Sequence, residues 1–247
     1  MPAGWGNSYL DWSGAYGFAR ATIGALLHRE RTGEGQMVDS SQCEAGIIQT
    51  AVAVLDWSAN GRAWSRYGNR SPYKPAAPHG AYRCRGEDRW LAIACFGEAE
   101  WIAFTEVAEL RQLRSDPRFA TLASRLQHQD ALDEAVTTWT ATVDANDAMA
   151  RLQAAGVAAG VCQTAAERCD TDPQLRALNW LTELKGSKIG RWPVPEFPVK
   201  LSRTPAYAGG PIDRGAPCYG EDNRFILREM LGYSEAEIAA LAEEGVI

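Results

Sequence analysis

The sequence lacks the composition of three classes of protein. Its 25 lysines and arginines are outnumbered by 31 aspartates and glutamates, so there is no basic excess to neutralise nucleic-acid phosphates. No apolar run approaches the ~20 residues of a membrane span, and residues 1–11 lack the basic and apolar regions of a secretory signal. With 46% hydrophobic residues among 247, a packed core is feasible. We therefore expect a soluble, cytoplasmic protein that binds neither nucleic acid nor membrane.

Metal-binding and nucleotide-binding patterns are also missing. The six cysteines include no C-x-x-C pair, which argues against a zinc site or a disulfide framework. No H-E-x-x-H, Walker or G-x-G-x-x-G motif occurs. Of the three histidines, His28 and His128 stand among charged or polar neighbours and are interpreted as surface residues, whereas His79 ends a proline-rich loop and is a candidate site residue. We predict no metal and no permanently bound cofactor.

The first third of the chain has the pattern of two helices. Ser13 as a cap and Gly33 as a stop predict a helix over 13–31. A short strand is predicted at 35–40, followed by a second helix over 42–59. Apolar residues cover more than one face of that second helix, so we expect it to be largely buried.

The middle of the chain has the pattern of a small α+β unit. A β-hairpin is predicted on either side of Gly86-Glu87-Asp88. A strand over 156–162 is expected to enter a new layer of the fold. The proline-rich stretch 186–211 is expected to run over the surface as extended chain. Ser234 and Glu237 form a capping box for the last helix. Three further helices are predicted at 98–110, 131–142 and 145–155.

Asp11 is the main candidate for chemistry. We predict that it lies just ahead of the first helix, where unpaired N–H groups favour an ionised carboxylate. Gly14 and Gly17 leave room for another molecule, and such a carboxylate can attack an activated carbonyl. An aspartate before a helix can equally act as a cap, so the local pattern leaves both roles open.

A series of short motifs runs in a fixed order along nearly the whole chain. The longest is LLHRERTGEGQMVDS at residues 26–40. The others are GNR at 68–70, PHGAYRC at 78–84, WLAI at 90–93, DPRF at 116–119, AGV at 155–157, DPQL at 172–175, LSRTP at 201–205, GEDN at 220–223 and the ending from 231 to 247. As an ordered set they resemble the class III coenzyme A transferases, the family of formyl-CoA and carnitine CoA-transferases.

The resemblance implies an α/β fold with a partial Rossmann-like large domain and a small α+β domain, in a family that forms interlocked dimers. It implies that residues 1–62 carry the catalytic aspartate in the large domain, that 63–155 form the small domain, and that 156–247 return to the large domain. The match is to the C-terminal portion of the family, without the N-terminal segment that carries most CoA contacts. We therefore expect either a homodimer or a heteromer with an N-terminal-half subunit.

The resemblance also implies a mechanism. Counted back from Gln36 of the Thr-Gly-x-Gly-Gln turn, the family's nucleophile falls on Asp11. Its carboxylate would attack an acyl-CoA thioester to give a mixed anhydride and then an aspartyl-CoA thioester, from which a carboxylic acid takes the CoA. The CoA thioester is thus a substrate. The matching motifs make Asn69, Arg70, His79 and Gly80 candidates for substrate binding, and the proline-containing loop 71–80 suits a larger acyl group than formyl.

Two alternatives stay open. The same family includes α-methylacyl-CoA racemases, which use the aspartate with a histidine as an acid/base pair, although the Trp12-Ser13 pair favours a transferase. In the second alternative, the chain is an inactive fragment or a partner subunit that only associates with a complementary chain. The sequence does not identify the acyl donor or the acceptor acid.

Overall fold

The computed structural model describes residues 9–71, 73–205, 208 and 215–247. The chain divides into two compact units, Met1–Pro75 and Ala76–Ile247. In these ranges the first unit is helical, and the second combines helices with two small sheets. The chain is therefore of the mixed α/β class.

The described residues of the first unit form three helices: α1 (Tyr9–Thr32), α2 (Gln42–Gln49) and α3 (Ala51–Asn60). Helix α1 ends at Gly33, which adopts the left-handed φ of +78° that a glycine stop requires. The predicted strand at 35–40 is wrong, because these residues form no strand. A strand needs a hydrogen-bonded neighbour, and both sheets of the described residues lie in the second unit.

The predicted single helix over 42–59 is interrupted at Thr50. The Thr50 side chain donates a hydrogen bond of 3.0 Å to the Ile47 carbonyl, and its backbone has left the helical region with φ −89° and ψ 4°. Such local side-chain bonds compete with the helical ladder. The backbone N–H of Thr50 closes α2, and α3 restarts at the next residue.

The prediction that this helical segment is buried is also wrong. Neither α2 nor α3 contains a buried residue, and in α1 only Gly14 is buried. Ile48 is 73% exposed, Leu55 65% and Trp57 60%. An apolar pattern on a helix predicts that something covers it, but not what does so, and no described residue of the first unit covers these side chains.

The second unit begins with an antiparallel sheet of strands β1 (His79–Arg83), β2 (Trp90–Ala94) and β3 (Ala158–Val161), in that order. The predicted hairpin of β1 and β2 is confirmed, and its turn uses positive φ at Gly86 and Asp88. The prediction that 156–162 enters a new layer is wrong. Strand β3 pairs with β2, with Leu91 opposite Val161, so it completes the same sheet.

Helices α4 (Glu98–Val107), α5 (Leu122–Gln127), α6 (Gln129–Thr140) and α7 (Ala145–Ala154) accompany this sheet. Helices α6 and α7 pack on the strands, while α4 packs against α7 and α5 against α6. The helices predicted near 98, 131 and 145 are confirmed as α4, α6 and α7. Their buried side chains join those of the sheet in one core, which includes Tyr82, Leu91, Ile93, Trp101, Phe104, Leu132, Val136 and Leu152. This core is the stable platform for the loop and strand that carry His79 and Gly80.

The remaining elements are short. A π-helical turn at Glu167–Thr171 precedes α8 (Pro173–Ala177), and strands β4 (Leu181–Gly186) and β5 (Gly190–Pro195) form a second antiparallel hairpin. The extended conformation predicted over 186–211 is confirmed where β5 lies, but β5 pairs with β4 in a hairpin and does not run alone over a surface. Residues 206, 207 and 209–211 are outside the described part. A π-helical segment at Phe225–Met230 leads to α9 (Glu235–Glu243), whose capping box is confirmed by reciprocal bonds between Ser234 and Glu237.

Candidate active site

Asp11 lies in the first turn of α1 as it is described, with an exposed carboxylate. The prediction that it precedes the helix is wrong. It rested on Ser13 as the cap, but the Ser13 hydroxyl instead donates back to the Tyr9 and Leu10 carbonyls, at 3.3 Å each. That bond is typical of a serine inside a helix. Asp11 is therefore held on a continuous helix and not on a flexible turn.

The side chain of Gln42 contacts Asp11 directly. Gln42 is the first residue of α2, and its Nε2 donates a hydrogen bond of 3.1 Å to Asp11 Oδ1. An ionised carboxylate only accepts hydrogen bonds, so the amide nitrogen is the group that faces it. No local sequence pattern indicates this contact, because 31 residues separate Gln42 from Asp11.

Two glycines permit this contact because they let α1 and α2 approach closely. A Cβ at Gly14 would lie 2.7 Å from Gln42 Cγ, and a Cβ at Gly46 would lie 2.7 Å from Leu10 Cδ2. Residues 10 and 14 of α1 thus meet residues 46 and 42 of α2, so the helices run antiparallel where they touch. The room that was predicted at Gly14 is filled by Gln42, whereas a Cβ at Gly17 would meet nothing within 4 Å.

Asn69 and Arg70 lie in a turn of the same unit, after α3. The Arg70 N–H donates to the Tyr67 carbonyl at 3.1 Å, and Gly68 takes the left-handed φ of +62° that the turn requires. Aromatic rings give this segment local order: Trp64 packs against Tyr67 and Tyr73, with ring centroids 5.7 and 5.2 Å away.

His79 and Gly80 begin β1 in the second unit. The half-buried His79 ring packs edge-to-face on Phe96, with centroids 6.0 Å apart. A Cβ at Gly80 would lie 3.0 Å from Cζ and the hydroxyl of Tyr82. Gly80 therefore makes room for the buried Tyr82 ring, whose hydroxyl donates to Asp133 Oδ1 at 2.7 Å.

A buried arginine anchors the chain that leads into His79. The side chain of Arg125 is fully buried, and its Nε donates to the Ala77 carbonyl at 3.0 Å. Its two Nη groups bind both carboxylate oxygens of Glu98, at 3.1 and 3.0 Å, and this bond holds the pKa of Glu98 below its usual value. Nη1 also donates to the Phe119 carbonyl at 3.2 Å. The guanidinium lies 4.8 Å from the Trp101 ring centroid, so it connects the loop to the core.

The candidate residues thus fall into two groups. Asp11, Asn69 and Arg70 belong to the first unit, and His79 and Gly80 to the second. The contact between Gln42 and Asp11 has an indirect signal in the sequence: Gly14 and Gly46 mark a close helix crossing, and Gln42 directly follows the cap Ser41.

Neither a metal centre nor a membrane span is found in the described part of the chain. Within residues 9–71, 73–205, 208 and 215–247, no three His, Cys, Asp or Glu side chains come together as a metal would require. No helix in those ranges combines the length and the hydropathy that crossing a bilayer needs.

Comparisons with known proteins agree with each other. The sequence model of a family described as CoA-transferase family III matches residues 1–223. The probable CoA-transferase Rv1866 of Mycobacterium tuberculosis is 32% identical over 230 residues, which make up 93% of this chain and 28% of that protein. The succinyl-CoA–D-citramalate CoA-transferase of Chloroflexus aurantiacus is 30% identical over 230 residues, 92% of this chain and 55% of that protein.

A solved structure supports the same fold. A CAIB/BAIF family protein from Brucella suis superposes with a TM-score of 0.80 at 24% identity, over 93% of this chain and 57% of that one. The chain therefore spans about half, or less, of the length of the proteins that it matches.

Proposed function

This chain belongs to CoA-transferase family III, and from that premise we propose that it supplies the nucleophile of an enzyme that moves CoA from an acyl-CoA donor to a carboxylic acid. The nucleophile is Asp11. The observation that carries the proposal is an exposed carboxylate on a continuous helix, with one oxygen held by Gln42. The other oxygen, Oδ2, is left to attack.

The reaction proceeds through two covalent states of Asp11. First, Oδ2 attacks the thioester carbonyl, the C–S bond breaks and CoA leaves as the thiolate. The thiolate then attacks Asp11 Cγ, the anhydride C–O bond breaks and the donor acid leaves as a carboxylate, which makes an aspartyl-CoA thioester. An incoming carboxylate reverses both steps and departs as the new acyl-CoA. No step consumes ATP or requires a metal, since one thioester replaces another.

The remaining assignments extend this proposal to substrate and fold. Asn69, Arg70, His79 and Gly80 bind substrate, and the loop 71–80 accepts an acyl group larger than formyl. Residues 1–62 and 156–247 contribute to a Rossmann-like large domain of an interlocked dimer, and 63–155 form its small domain. The enzyme works in the cytoplasm. The sheet and helices between 76 and 161 share one core, which supports a small-domain role for 76–155 and extends that domain through β3, since β3 pairs with β2.

The apolar side chains of the first unit indicate that another polypeptide segment covers it. Besides the exposed residues of α2 and α3, helix α1 exposes Trp12, Ile23 and Leu27 at 56, 58 and 49%. Exposed apolar area of this kind marks an interaction surface. We assign as its occupant the portion of the family's polypeptide that this chain does not match, which is nearly half of the Chloroflexus relative. Whether it belongs to the same polypeptide as this chain or to a separate one, this portion would complete the large domain.

Co-expression with the complementary half tests the assignment. The assembled protein is incubated with acyl-CoA and hydroxylamine, and the peptide that contains Asp11 is examined by mass spectrometry. We expect a hydroxamate on Asp11, and we expect Asp11→Asn to abolish both the adduct and thioester exchange. A matched control is Glu30→Gln, which removes a carboxylate from the last turn of the same helix and should leave exchange intact.

Other outcomes point to the other roles. Exchange of the α-proton of a 2-methylacyl-CoA without an adduct on Asp11 would indicate a racemase. If a well-formed assembly catalyses neither reaction, the chain is a subunit that only associates with a complementary chain. If two copies of this chain assemble without the complementary half, the apolar surface of the first unit is covered by a second copy and not by the portion that we assign.

A further inference from the structure

We propose that Gln42 is a positioning residue for the reaction at Asp11, an inference that rests on the proposed function. In the described residues Gln42 is the side chain that hydrogen-bonds the Asp11 carboxylate. Its Nε2 group selects Oδ2 as the attacking oxygen and afterwards stabilises the negative charge that develops on Oδ1.

The backbone of Gln42 is fixed by its place at the start of α2. The preceding residue, Ser41, caps the helix: its hydroxyl accepts the Glu44 N–H at 3.3 Å, and its carbonyl accepts the Ala45 N–H at 3.1 Å. A capped first turn holds its backbone in one conformation. The position from which the Gln42 side chain extends is therefore set before substrate binds.

The side chain of Gln42 is held in turn by the surface of α1. A Cβ at position 14 would lie only 2.7 Å from Gln42 Cγ. The Gln42 side chain therefore occupies a notch in α1, which is the space left by the missing side chain of Gly14. The amide then reaches Asp11, which lies three residues before Gly14. Since positions three apart share a helix face, the notch and the carboxylate lie side by side on α1.

The hydrogen bond changes in strength along the reaction. In the free carboxylate the charge is shared between two oxygens. When the CoA thiolate attacks Cγ of the mixed anhydride, the C=O electron pair moves onto Oδ1, which becomes a full oxyanion; it returns when the anhydride C–O bond breaks. A preorganised donor at that oxygen accelerates such a step. The bond thus lowers the barrier to attack on Cγ of Asp11, whereas in the earlier attack on the substrate carbonyl it only fixes which oxygen reacts.

The difference between the two steps provides the test. Gln42→Met keeps the length of the side chain but removes the donor. In the assembled enzyme we expect kcat to fall on the order of 10²-fold, with KM for acyl-CoA near its original value. In a rapid-quench single turnover, free CoA thiol should accumulate relative to protein-bound CoA, because recapture by Asp11 is the slowed step. A residue that only supports the fold would not change this ratio.

A matched control and a second variant protect the test against misfolding. Gln49→Met makes the same change at the other end of α2 and should leave kcat and the thiol ratio unchanged. Gly14→Ala forces Gln42 out of its notch, so it should lower kcat in the wild-type background but have no further effect in a Gln42→Ala background, where no side chain occupies the notch.

The results separate this inference from the proposed function. If Asp11→Asn abolishes exchange while Gln42→Met retains full kcat and the normal thiol ratio, the role of Gln42 is overturned and the nucleophile stands. Equal effects of Gly14→Ala in both backgrounds also overturn it, even where Gln42→Met fails to fold. If Asp11→Asn retains exchange, the proposed function fails, and the inference fails with it.

Discussion

The guanidinium of Arg89 and the carboxylate of Glu167 form a bidentate ion pair in the second unit, with N–O distances of 2.8 and 3.0 Å. The pair joins β-hairpin residues to the π-helical turn that follows β3. Its two side chains are 20 and 28% exposed. The bond from Arg89 lowers the pKa of Glu167 to about 2, so the pair makes the stability of this region depend on pH.

We predict that Glu167→Gln lowers the melting temperature at pH 7 and that the difference disappears in acid. A carboxyl whose pKa is depressed by folding contributes stability above its unfolded pKa of about 4.3, and this contribution is lost as the pH falls toward the folded pKa. The gap between wild type and variant should therefore close between pH 4.5 and 2. Thermal melts across that range measure it. Glu183→Gln is the control, because its partner Arg191 is 3.9 Å away and both are more than 60% exposed.

We predict that Arg125→Met destabilises the second unit by about 2–4 kcal/mol, below the full cost of breaking a buried pair because Glu98 is half exposed. The substitution leaves the Ala77 and Phe119 carbonyls without their donor. Arg125→Lys should also be destabilising, since an ammonium cannot reproduce the planar fork. Urea unfolding followed by tryptophan fluorescence is suited to this test because Trp101 packs on the guanidinium. A change no larger than that of the exposed Arg191→Met would contradict it.

We predict that Gly80→Ala costs on the order of 1 kcal/mol, because the new methyl group would displace the Tyr82 ring and weaken its bond to Asp133. Gly160→Ala is the matched control: it lies on β3 of the same sheet, where a Cβ meets nothing within 4 Å. That change should be neutral or slightly stabilising. The denaturation midpoints of the two variants measure these effects. Equal effects of the two substitutions would contradict the packing role of Gly80.

We predict an order of reaction among the cysteines. Burial raises the pKa of the Cys95 thiol to about 12, and the thiolate is the reactive form. Cys84 is also buried, and burial raises its pKa as well. Alkylation of the native protein at pH 8, read by mass spectrometry, should modify the exposed Cys43, Cys162 and Cys169 first. Cys84 and Cys95 should react only after unfolding; early labelling of either would show that the core of the second unit opens readily.

Local patterns predicted most elements of the second unit. The hairpin depends on turn residues that accept positive φ, Gly86 and Asp88, and the capping box on Ser234 and Glu237. Each of these is decided within a few residues by backbone sterics and short hydrogen bonds. The helices α4, α6 and α7 follow from hydrophobic periodicity, which is also a pattern of neighbouring residues.

Asp11 as the nucleophile came from the order of motifs in the sequence, and it stays a prediction until the trapping experiment is done. Its contact with Gln42 did not come from the sequence, because two helices must first cross at Gly14 and Gly46.

By itself the sequence determined the family, the acidic character and the elements whose signals are local. The tertiary structure alone decided that β3 joins the first sheet, that the apolar sides of α2 and α3 stay uncovered by the described residues of their own unit, and that Gln42 meets Asp11. The physical reason is the same in each case. Hydrophobic and hydrogen-bonding patterns indicate that a group needs a partner. Which partner it has is determined by packing between segments that are distant in the chain.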